Sequence, residues 1–292
     1  MNTTLKKGDI ILFKTEGDWL GNTIAKLTAS DVSHAVILYS ENSVIEMIAP
    51  GVCINPVTIS PGDNAYVMRL KPELNAQPIL KAADKYRRAK ARYDFPALVI
   101  LAGVIVLQSA TMQRHLLPIC NKIILTAAKQ LDVLIEKIIL RHKEDAMICS
   151  QFVYQAYYDC GGDYRLKVEN GTMYNSSGNA VSPTCLAQLP YSDYAITDEL
   201  LGTDDIATEQ PEELAQILIE QMEQEPTECL SVKEYPNILP AVHLFQKKIK
   251  KISKLLHTDL PFESMFITPA DIAYHTKNLE RIASIQVDRP EK

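Results

Sequence analysis

Residues 34–48 read His34-Ala35-Val36-Ile37-Leu38-Tyr39-Ser40-Glu41-Asn42-Ser43-Val44-Ile45-Glu46-Met47-Ile48. Two apolar runs flank four polar residues that favour a turn, and this pattern predicts a β-hairpin. A histidine opens the first run, and Glu46 lies inside the second. The hairpin therefore predicts that His34 and Glu46 occupy fixed places on two paired strands.

The pairing register of this hairpin decides whether His34 and Glu46 share a face of the sheet. With a two-residue turn at Glu41-Asn42, Glu46 would lie opposite Ile37 and point away from His34. With a three-residue loop, Glu46 would lie opposite Val36, one diagonal step from His34. A side-chain contact between His34 and Glu46 therefore requires an odd-length loop or a β-bulge.

A second stretch of the chain supplies a candidate nucleophile. The segment from Met147 to Cys160 has apolar side chains at helical spacing and ends at Gly161-Gly162, which is typical of a helix stop. Cys149 lies near the N-terminus of this predicted helix, where the helix dipole and a neighbouring imidazolium favour a thiolate. We expect His34 to exchange a proton with the Cys149 thiol and Glu46 to fix the tautomer of the histidine ring.

Five stretches in chain order resemble the permuted papain-like cysteine hydrolases, the NlpC-related YaeF/YiiX-type enzymes. The matching stretches are Lys7 to Leu12, Ser33 to Ile37, Val44 to Glu46, Tyr93-Asp94 and Ile148 to Tyr154. In ordinary papain-like chains the cysteine precedes the histidine, whereas here the histidine strand comes first. The resemblance covers about 140 residues, Lys7 to Leu70 and Tyr93 to Gly162.

The resemblance implies a role for each of these residues. Cys149 would be the nucleophile, His34 the base and Glu46 its orienting group, while Tyr93 and Asp94 would bind substrate at the edge of the cleft. The bond cleaved would be an amide, an ester or a thioester, in a cell-wall-type peptide or, as in relatives similar to lecithin:retinol acyltransferases, in an acyl lipid.

The chain departs from the family pattern in two places. Gln151 stands where the family usually has a glutamate after Cys-Ser. The family's late helix start, a serine or threonine followed by proline, fits both Pro183 and Pro269 in this sequence.

An uncharged stretch from Phe95 to Gln113 leaves two alternatives open. Its nineteen residues are long enough to span a membrane, but the last third is polar, which is more typical of a buried or re-entrant helix. Ile119 to Leu140 has amphipathic helical spacing, so residues 95–144 are expected to form a helical insertion. An apolar helix pair beside a cleft favours an acyl-lipid substrate and membrane-surface contact through residues 95–140, although the insertion would also be stable packed only on itself.

The amino-acid composition restricts the fold class and the kinds of partner that the chain can bind. The chain has 292 residues, of which 47% are hydrophobic and 23% charged, as in globular proteins. We expect an α+β fold, with residues 1–192 as a papain-like core and residues 193–292 as an acidic, mostly helical region. Ser192 to Pro236 holds thirteen Asp or Glu residues against one Lys. The net charge of −6 argues against a nucleic-acid partner.

Spacing and termini set the remaining expectations. The cysteines and histidines lack ligand spacing, so neither a metal nor a cofactor is expected. Residues 1–9 lack the apolar stretch of a signal peptide, which predicts cytoplasmic synthesis and export only by a signal-independent route.

Two alternatives to a hydrolase stay open: an interaction module whose acidic tail binds a basic partner, and an integral membrane protein.

Overall fold

The computed structural model describes eleven stretches of the chain, which fall into two compact units. The described residues are 5–15, 19–108, 111–113, 116–139, 146–173, 177–178, 217, 220, 229–231, 238–255 and 262–290. The first unit is assembled from residues 1–94, 143–180 and 263–292, and the second from residues 95–142 and 181–262. The architecture is mixed α+β.

The helices and strands alternate irregularly along the chain. The strands are β1 (Ile10–Lys14), β2 (Val32–Ser40), β3 (Ser43–Ile48), β4 (Gly51–Pro56), β5 (Thr58–Leu70), β6 (Arg92–Tyr93), β7 (Thr111–Gln113), β8 (Ala146–Met147), β9 (Cys229–Ser231) and β10 (Leu279–Asp288). The helices are α1 (Trp19–Leu27), α2 (Gln77–Arg88), α3 (Phe95–Gln108), α4 (Leu117–Ile139), α5 (Cys149–Cys160), α6 (Leu239–Leu255) and α7 (Pro269–Tyr274).

A curled sheet forms the body of the first unit. Over the described residues it contains eight strands in the order β10-β5-β1-β2-β3-β4-β6-β8. Every neighbouring pair is antiparallel except β6 and β8, which are short and run parallel. The long strands β5 and β10 pair from Leu70 and Leu279 to Thr58 and Asp288.

The β2–β3 hairpin takes the register that the sequence requires for a His34–Glu46 contact. Ile37 pairs with Ile45 and Leu38 with Val44, and then a bulge at Tyr39 brings Ser40 opposite Ser43. The turn itself is the two-residue one, but the extra residue in β2 shifts the register by one position. The bulge predicted as one of the two solutions is therefore confirmed, and Glu46 lies on the His34 face.

Both faces of the sheet are covered around β1 and β2, whose consecutive apolar side chains are buried. Ile10, Leu12, Ala35 and Ile37 on one face are fully buried. The helices α5 and α7 contact β2, and α2 contacts α5. On the other face the alternate side chains form a single apolar cluster, which contains Ile11, Phe13, Val36, Leu38, Val44, Val57, Ala65, Val67, Ile285 and Val287.

The Gly8-Asp9 motif joins the sheet to α5. The carboxylate of Asp9 accepts two hydrogen bonds from the Arg69 guanidinium, at 2.7 Å each, and is almost fully buried. The Tyr157 hydroxyl on α5 donates to the carbonyl oxygen of Gly8. These contacts hold the body of α5 against the start of β1.

Part of the C-terminal region, expected to be mostly helical over residues 193–292, is a strand. Leu279–Asp288 forms β10, a strand of the main sheet. Within it Ile285 and Val287 are buried while Ser284 and Asp288 are exposed, and this alternation is typical of a strand with one face on a core. Residues 263–292 consequently belong to the first unit.

The helix start at Thr268-Pro269 is confirmed. Thr268 Oγ1 accepts from the Asp271 N–H at 3.0 Å, and the Asp271 carboxylate accepts from the Thr268 N–H at 2.9 Å. This reciprocal capping box satisfies two otherwise unpaired donors at the start of α7. The alternative helix start at Pro183 lies outside the described residues.

The second unit contains the predicted helical insertion. Helices α3, α4 and α6 pack on one another, and β7 pairs with β9. Gly103 permits the close approach of α3, because a Cβ atom there would lie 2.6 Å from the Cβ of Ala127 on α4. The amphipathic pattern over 119–140 is confirmed as α4, whose Ile124, Ala127 and Leu131 are fully buried.

The uncharged stretch from Phe95 forms the fourteen-residue helix α3. Its shortness agrees with the buried-helix alternative, since a span needs about 20 residues. Among the residues that the structure describes, no helix combines the length and the apolar character needed to cross a bilayer.

Candidate active site

Cys149 is the first residue of α5. Ile148 precedes it in an extended conformation and gives the helix no side-chain cap, so N–H groups of the first turn are left for other acceptors. The neighbouring Ser150 hydroxyl, fully buried, donates to the carbonyl oxygen of Ile267 at 2.6 Å. This bond anchors the start of α5 and so fixes where the Cys149 thiol lies.

His34 lies on β2 beyond the paired part of the hairpin. Of the described residues in β3, none pairs with His34, Ala35 or Val36, because the ladder begins at Ile37 and Ile45. Helix α5 contacts both β2 and β3. The backbone N–H groups of Ala35 and Ser150 favour the thiolate and lower the pKa of Cys149. The start of α5 thus lies against β2 next to the histidine.

The His34 ring bonds on both sides. Its Nε2 lies 2.6 Å from Glu46 Oε2. The ring also interacts with Cys149, whose charge and hydrogen bonding raise the pKa of His34. Because Nε2 is taken by Glu46, the nitrogen that faces the thiol is Nδ1. The structure therefore brings Cys149, His34 and Glu46 together in the order of the predicted catalytic group.

Glu46 is held by three donors from three different elements. Besides His34, Asn55 Nδ2 on β4 lies 2.8 Å from Oε1, and Arg289 Nη2, just after β10, lies 2.9 Å from Oε2. The Glu46 side chain has no exposed surface. A buried carboxylate needs such partners, since an unpaired buried charge is strongly unfavourable.

Sequence reasoning missed both Asn55 and Arg289. Asn55 lies opposite Val44 across the β3–β4 pair, so the hairpin register beyond Pro50 was the signal that could have found it. Arg289 is 243 residues from Glu46 in the chain. A lone arginine after an unassigned strand gives no sequence signal for such a contact.

The electrostatics of the site favour a charged pair. Burial lowers the pKa of His34, but the Cys149 thiolate and the Glu46 carboxylate outweigh it and raise this pKa from 6.5 to about 9. Burial likewise raises the pKa of Cys149, whereas the His34 charge and hydrogen bond and two backbone N–H groups bring it below its ordinary value. The two directions agree on a thiolate beside an imidazolium.

The pKa of Glu46 fits the same arrangement. Burial raises it, but the hydrogen bond and charge of His34, together with the charge of Arg289, bring it from 4.5 to about 2. Glu46 is therefore a carboxylate at every pH at which Cys149 chemistry takes place.

Two other cysteines show the opposite behaviour. Burial raises the pKa of Cys120 to about 12. Burial and the neighbouring Asp159 raise the pKa of Cys160 to about 11. These thiols stay protonated at neutral pH, so the environment of Cys149 sets it apart from them.

Tyr93 and Asp94 lie next to the nucleophile. Tyr93 on β6 pairs with Met147 on β8, and the Asp94 N–H donates to the Met147 carbonyl at 3.1 Å. Asp94 is 8% exposed. Their backbone thus flanks the two residues that lead into α5, at the edge of the site where the resemblance implies substrate binding.

The site is narrow and carries no cluster of metal ligands. Cys149 is 2% exposed, and the His34 side chain 20%. Over the described ranges, His, Cys, Asp and Glu side chains form no group of three placed to hold a metal ion. The side-chain oxygen of Gln151, on the first turn of α5, is buried without a partner among the described residues.

Comparison of the chain with models of protein families, with curated proteins and with solved structures gives no match. The interpretation of the site therefore depends on its own geometry and chemistry.

Proposed function

We propose that the protein is a cysteine hydrolase that cleaves an amide, ester or thioester bond with Cys149, His34 and Glu46. One observation carries the proposal: the His34 ring, 20% exposed, bonds to Glu46 at 2.6 Å through Nε2 and interacts with the Cys149 thiol at the start of α5. The resemblance to permuted papain-like hydrolases assigns the same three roles.

In the first half of the reaction, the Cys149 sulfur forms a bond to the substrate carbonyl carbon, and the π electrons move onto the oxygen. Uncapped N–H groups at the start of α5 stabilise this oxyanion. When it collapses, the bond to the leaving group breaks, and His34 Nδ1 gives that group its proton. The products are an acyl-enzyme and a neutral His34.

In the second half, His34 takes a proton from water, and the hydroxide adds to the thioester carbon. The carbon–sulfur bond then breaks, which releases a carboxylic acid and restores the thiolate and the imidazolium. Glu46 stays ionised throughout and holds the ring in the tautomer that presents Nδ1 to the sulfur. Tyr93 and Asp94 would contact the substrate beside Met147.

For the substrate we retain the two classes that the resemblance implies and favour an acyl lipid over a cell-wall-type peptide. Helix α3 of the second unit supports this preference, because its half-buried face is apolar and contains Leu98, Val99, Ala102 and Ile105. Such a face suits an acyl chain or a membrane surface. The class is tested by incubating wild type and Cys149→Ser with mixed lipid vesicles and with cell-wall peptides, and measuring released fatty acid and released amine.

The first experiment measures alkylation of Cys149 by iodoacetamide against pH, read by peptide mass spectrometry. We expect a thiolate that reacts well below pH 8 in wild type and loses this reactivity in His34→Ala. Because Cys149 is buried, the shape of the pH profile is compared rather than the absolute rate. Cys160, whose pKa burial raises to about 11, serves as an internal control in the same digest.

An ordinary thiol titration of Cys149, identical in both proteins, would contradict the proposal. The alternative would then be a non-catalytic interaction module with an acidic tail. That alternative also requires binding of a basic partner to survive Cys149→Ser.

A further inference from the structure

Arg289 contacts two residues of the candidate site, Glu46 and Phe13. Its Nη2 lies 2.9 Å from Glu46 Oε2. Its guanidinium carbon lies 4.5 Å from the centre of the Phe13 ring, and this ring lies 5.9 Å from the His34 ring. The Arg289 side chain is 38% exposed, whereas Glu46 is fully enclosed.

Arg289 and His34 bond to the same carboxylate oxygen. Both Nη2 of Arg289 and Nε2 of His34 contact Oε2, while Asn55 contacts Oε1. Two cations therefore share one anion when His34 is protonated. The two bonds fix the orientation of the carboxylate. Because its negative charge is shared between two cations, it stabilises the imidazolium less than a carboxylate bonded to His34 alone.

We propose that Arg289 is a positioning residue of the active site, which fixes Glu46 against His34 and moderates the charge that Glu46 presents to the imidazolium. This inference rests on the proposed function, since it assigns Arg289 a part in the same Cys149 chemistry. It adds residues after β10 to a site otherwise built from β2, β3, β4 and α5.

The sign of the effect follows from the charges around His34. The groups that face the ring are Cys149 from α5, Glu46 from β3, Arg289 after β10 and the neutral Phe13 ring from β1. The first two favour the imidazolium, and Arg289, through Glu46, opposes it. Loss of the Arg289 charge should therefore raise the pKa of His34, and loss of the Glu46 charge should lower it.

The experiment is an NMR titration of the full-length protein labelled with carbon-13 at histidine Cε1. The chain has six histidines, and the His34 signal is assigned by its loss in His34→Ala. We expect Arg289→Gln to move the His34 midpoint upward by roughly half to one pH unit, an interaction weakened by the partial exposure of the arginine. Glu46→Gln should move the midpoint downward, and Arg289→Lys should stay close to wild type.

A matched control lies on β10, the strand that precedes Arg289. Arg281 on β10 stacks on the Tyr66 ring at 3.5 Å, so its loss also removes a cation–π contact without touching Glu46. Arg281→Gln should leave the His34 midpoint unchanged. Arg289→Met keeps an apolar stem over Phe13, and should shift the midpoint like Arg289→Gln even if the glutamine variant is less stable.

The outcomes separate this inference from the proposed function. A wild-type midpoint near 6.5 that Cys149→Ala does not alter would refute the thiolate–imidazolium pair, and both proposals with it. A raised wild-type midpoint that drops in Cys149→Ala, with Arg289→Gln and Arg289→Met equal to or below wild type, would overturn only the role of Arg289. An equal shift in Arg281→Gln would also overturn it, because the effect would then be general to β10.

Discussion

Glu46 is an anion without any exposed surface, and its stability in the fold depends on its donors. His34, Asn55 and Arg289 bond its two oxygens from β2, β4 and the residue after β10. Because these donors lower its pKa to about 2, Glu46 remains charged where an isolated buried carboxylate would take up a proton. The carboxylate in turn holds the side chains of His34, Asn55 and Arg289 in place.

Glu46→Gln should lower the free energy of unfolding in a pH-dependent way. The pKa of Glu46 is depressed to about 2, so its contribution is present above pH 4.5 and is lost as the pH falls through 2. The pKa of His34 is raised to about 9, so its contribution is present below pH 6.5 and is lost as the pH rises through 9. We expect the largest difference, roughly 1.5–3 kcal/mol, between pH 4.5 and 6.5.

Urea unfolding at several pH values measures this difference. Glu41→Gln is the matched control, because Glu41 is exposed in the hairpin turn and its replacement should change the unfolding free energy by less than about 0.5 kcal/mol. A difference for Glu46→Gln that stays constant from pH 3 to pH 10 would show that the loss is steric and not ionic.

Residues whose positions follow from local periodicity were predictable from the sequence. Counting residues along the hairpin showed that the contact of His34 with Glu46 requires an odd-length loop or a bulge, and the place of Cys149 followed from one helix start. Asn55 and Arg289 depend on a second strand pairing and on a contact across 243 residues, which no local pattern encodes. The catalytic roles of Cys149, His34 and Glu46 remain predictions.

Among the elements, α5 is fixed at both ends by bonds to distant backbone. Ser150 at its start donates to the Ile267 carbonyl, and Tyr157 further along donates to the Gly8 carbonyl. Ile267 directly precedes Thr268, the cap of α7. The position of the nucleophile helix therefore depends on a six-residue helix more than a hundred residues away.

Thr268→Ala should destabilise the first unit. It removes the Oγ1 that accepts from the Asp271 N–H at 3.0 Å and leaves that donor buried. We expect a loss of about 1–2 kcal/mol of unfolding free energy, whereas Thr268→Ser, which keeps the hydroxyl, should lose much less. Thermal and urea unfolding of the two variants provide the comparison, and equal losses would assign the effect to the methyl group and not to the cap.

Elements with strong local signals, such as the Thr268-Pro269 helix start and the amphipathic α4, match their predictions. β10 was missed because its charged Glu280 and Arg281 precede the alternating part, and because an acidic stretch before it favoured a helical interpretation. The bulge at Tyr39 was predicted only as one of two solutions, since both restore the same register beyond the turn.

On the scale of the whole molecule, the first unit is assembled from three separate stretches of chain. The core cluster joins Val36 and Val67 from the first stretch to Ile285 and Val287 from the last. His34 lies on β2 of the same sheet. Loss of core packing at β10 should therefore also disturb the position of His34.

Ile285→Ala should destabilise the first unit by about 2–4 kcal/mol, because Ile285 is 7% exposed and its removal leaves a cavity. Ile285→Val should lose about 0.5–1.5 kcal/mol. Circular dichroism in urea monitors the transition. Low-pH alkylation of Cys149 should be lost over the same urea range, and a loss at clearly lower urea would show that the site opens before the core.

The position of Arg289 after β10 also bears on when the donors around Glu46 become complete during synthesis of the chain. The thiol of Cys149 is made 140 residues before the arginine that completes the donors around Glu46. At about 5–20 residues per second, a ribosome needs roughly 7–28 seconds to cover that distance. A nascent chain therefore carries Cys149 and Glu46 through this interval before Arg289 can bond to Glu46.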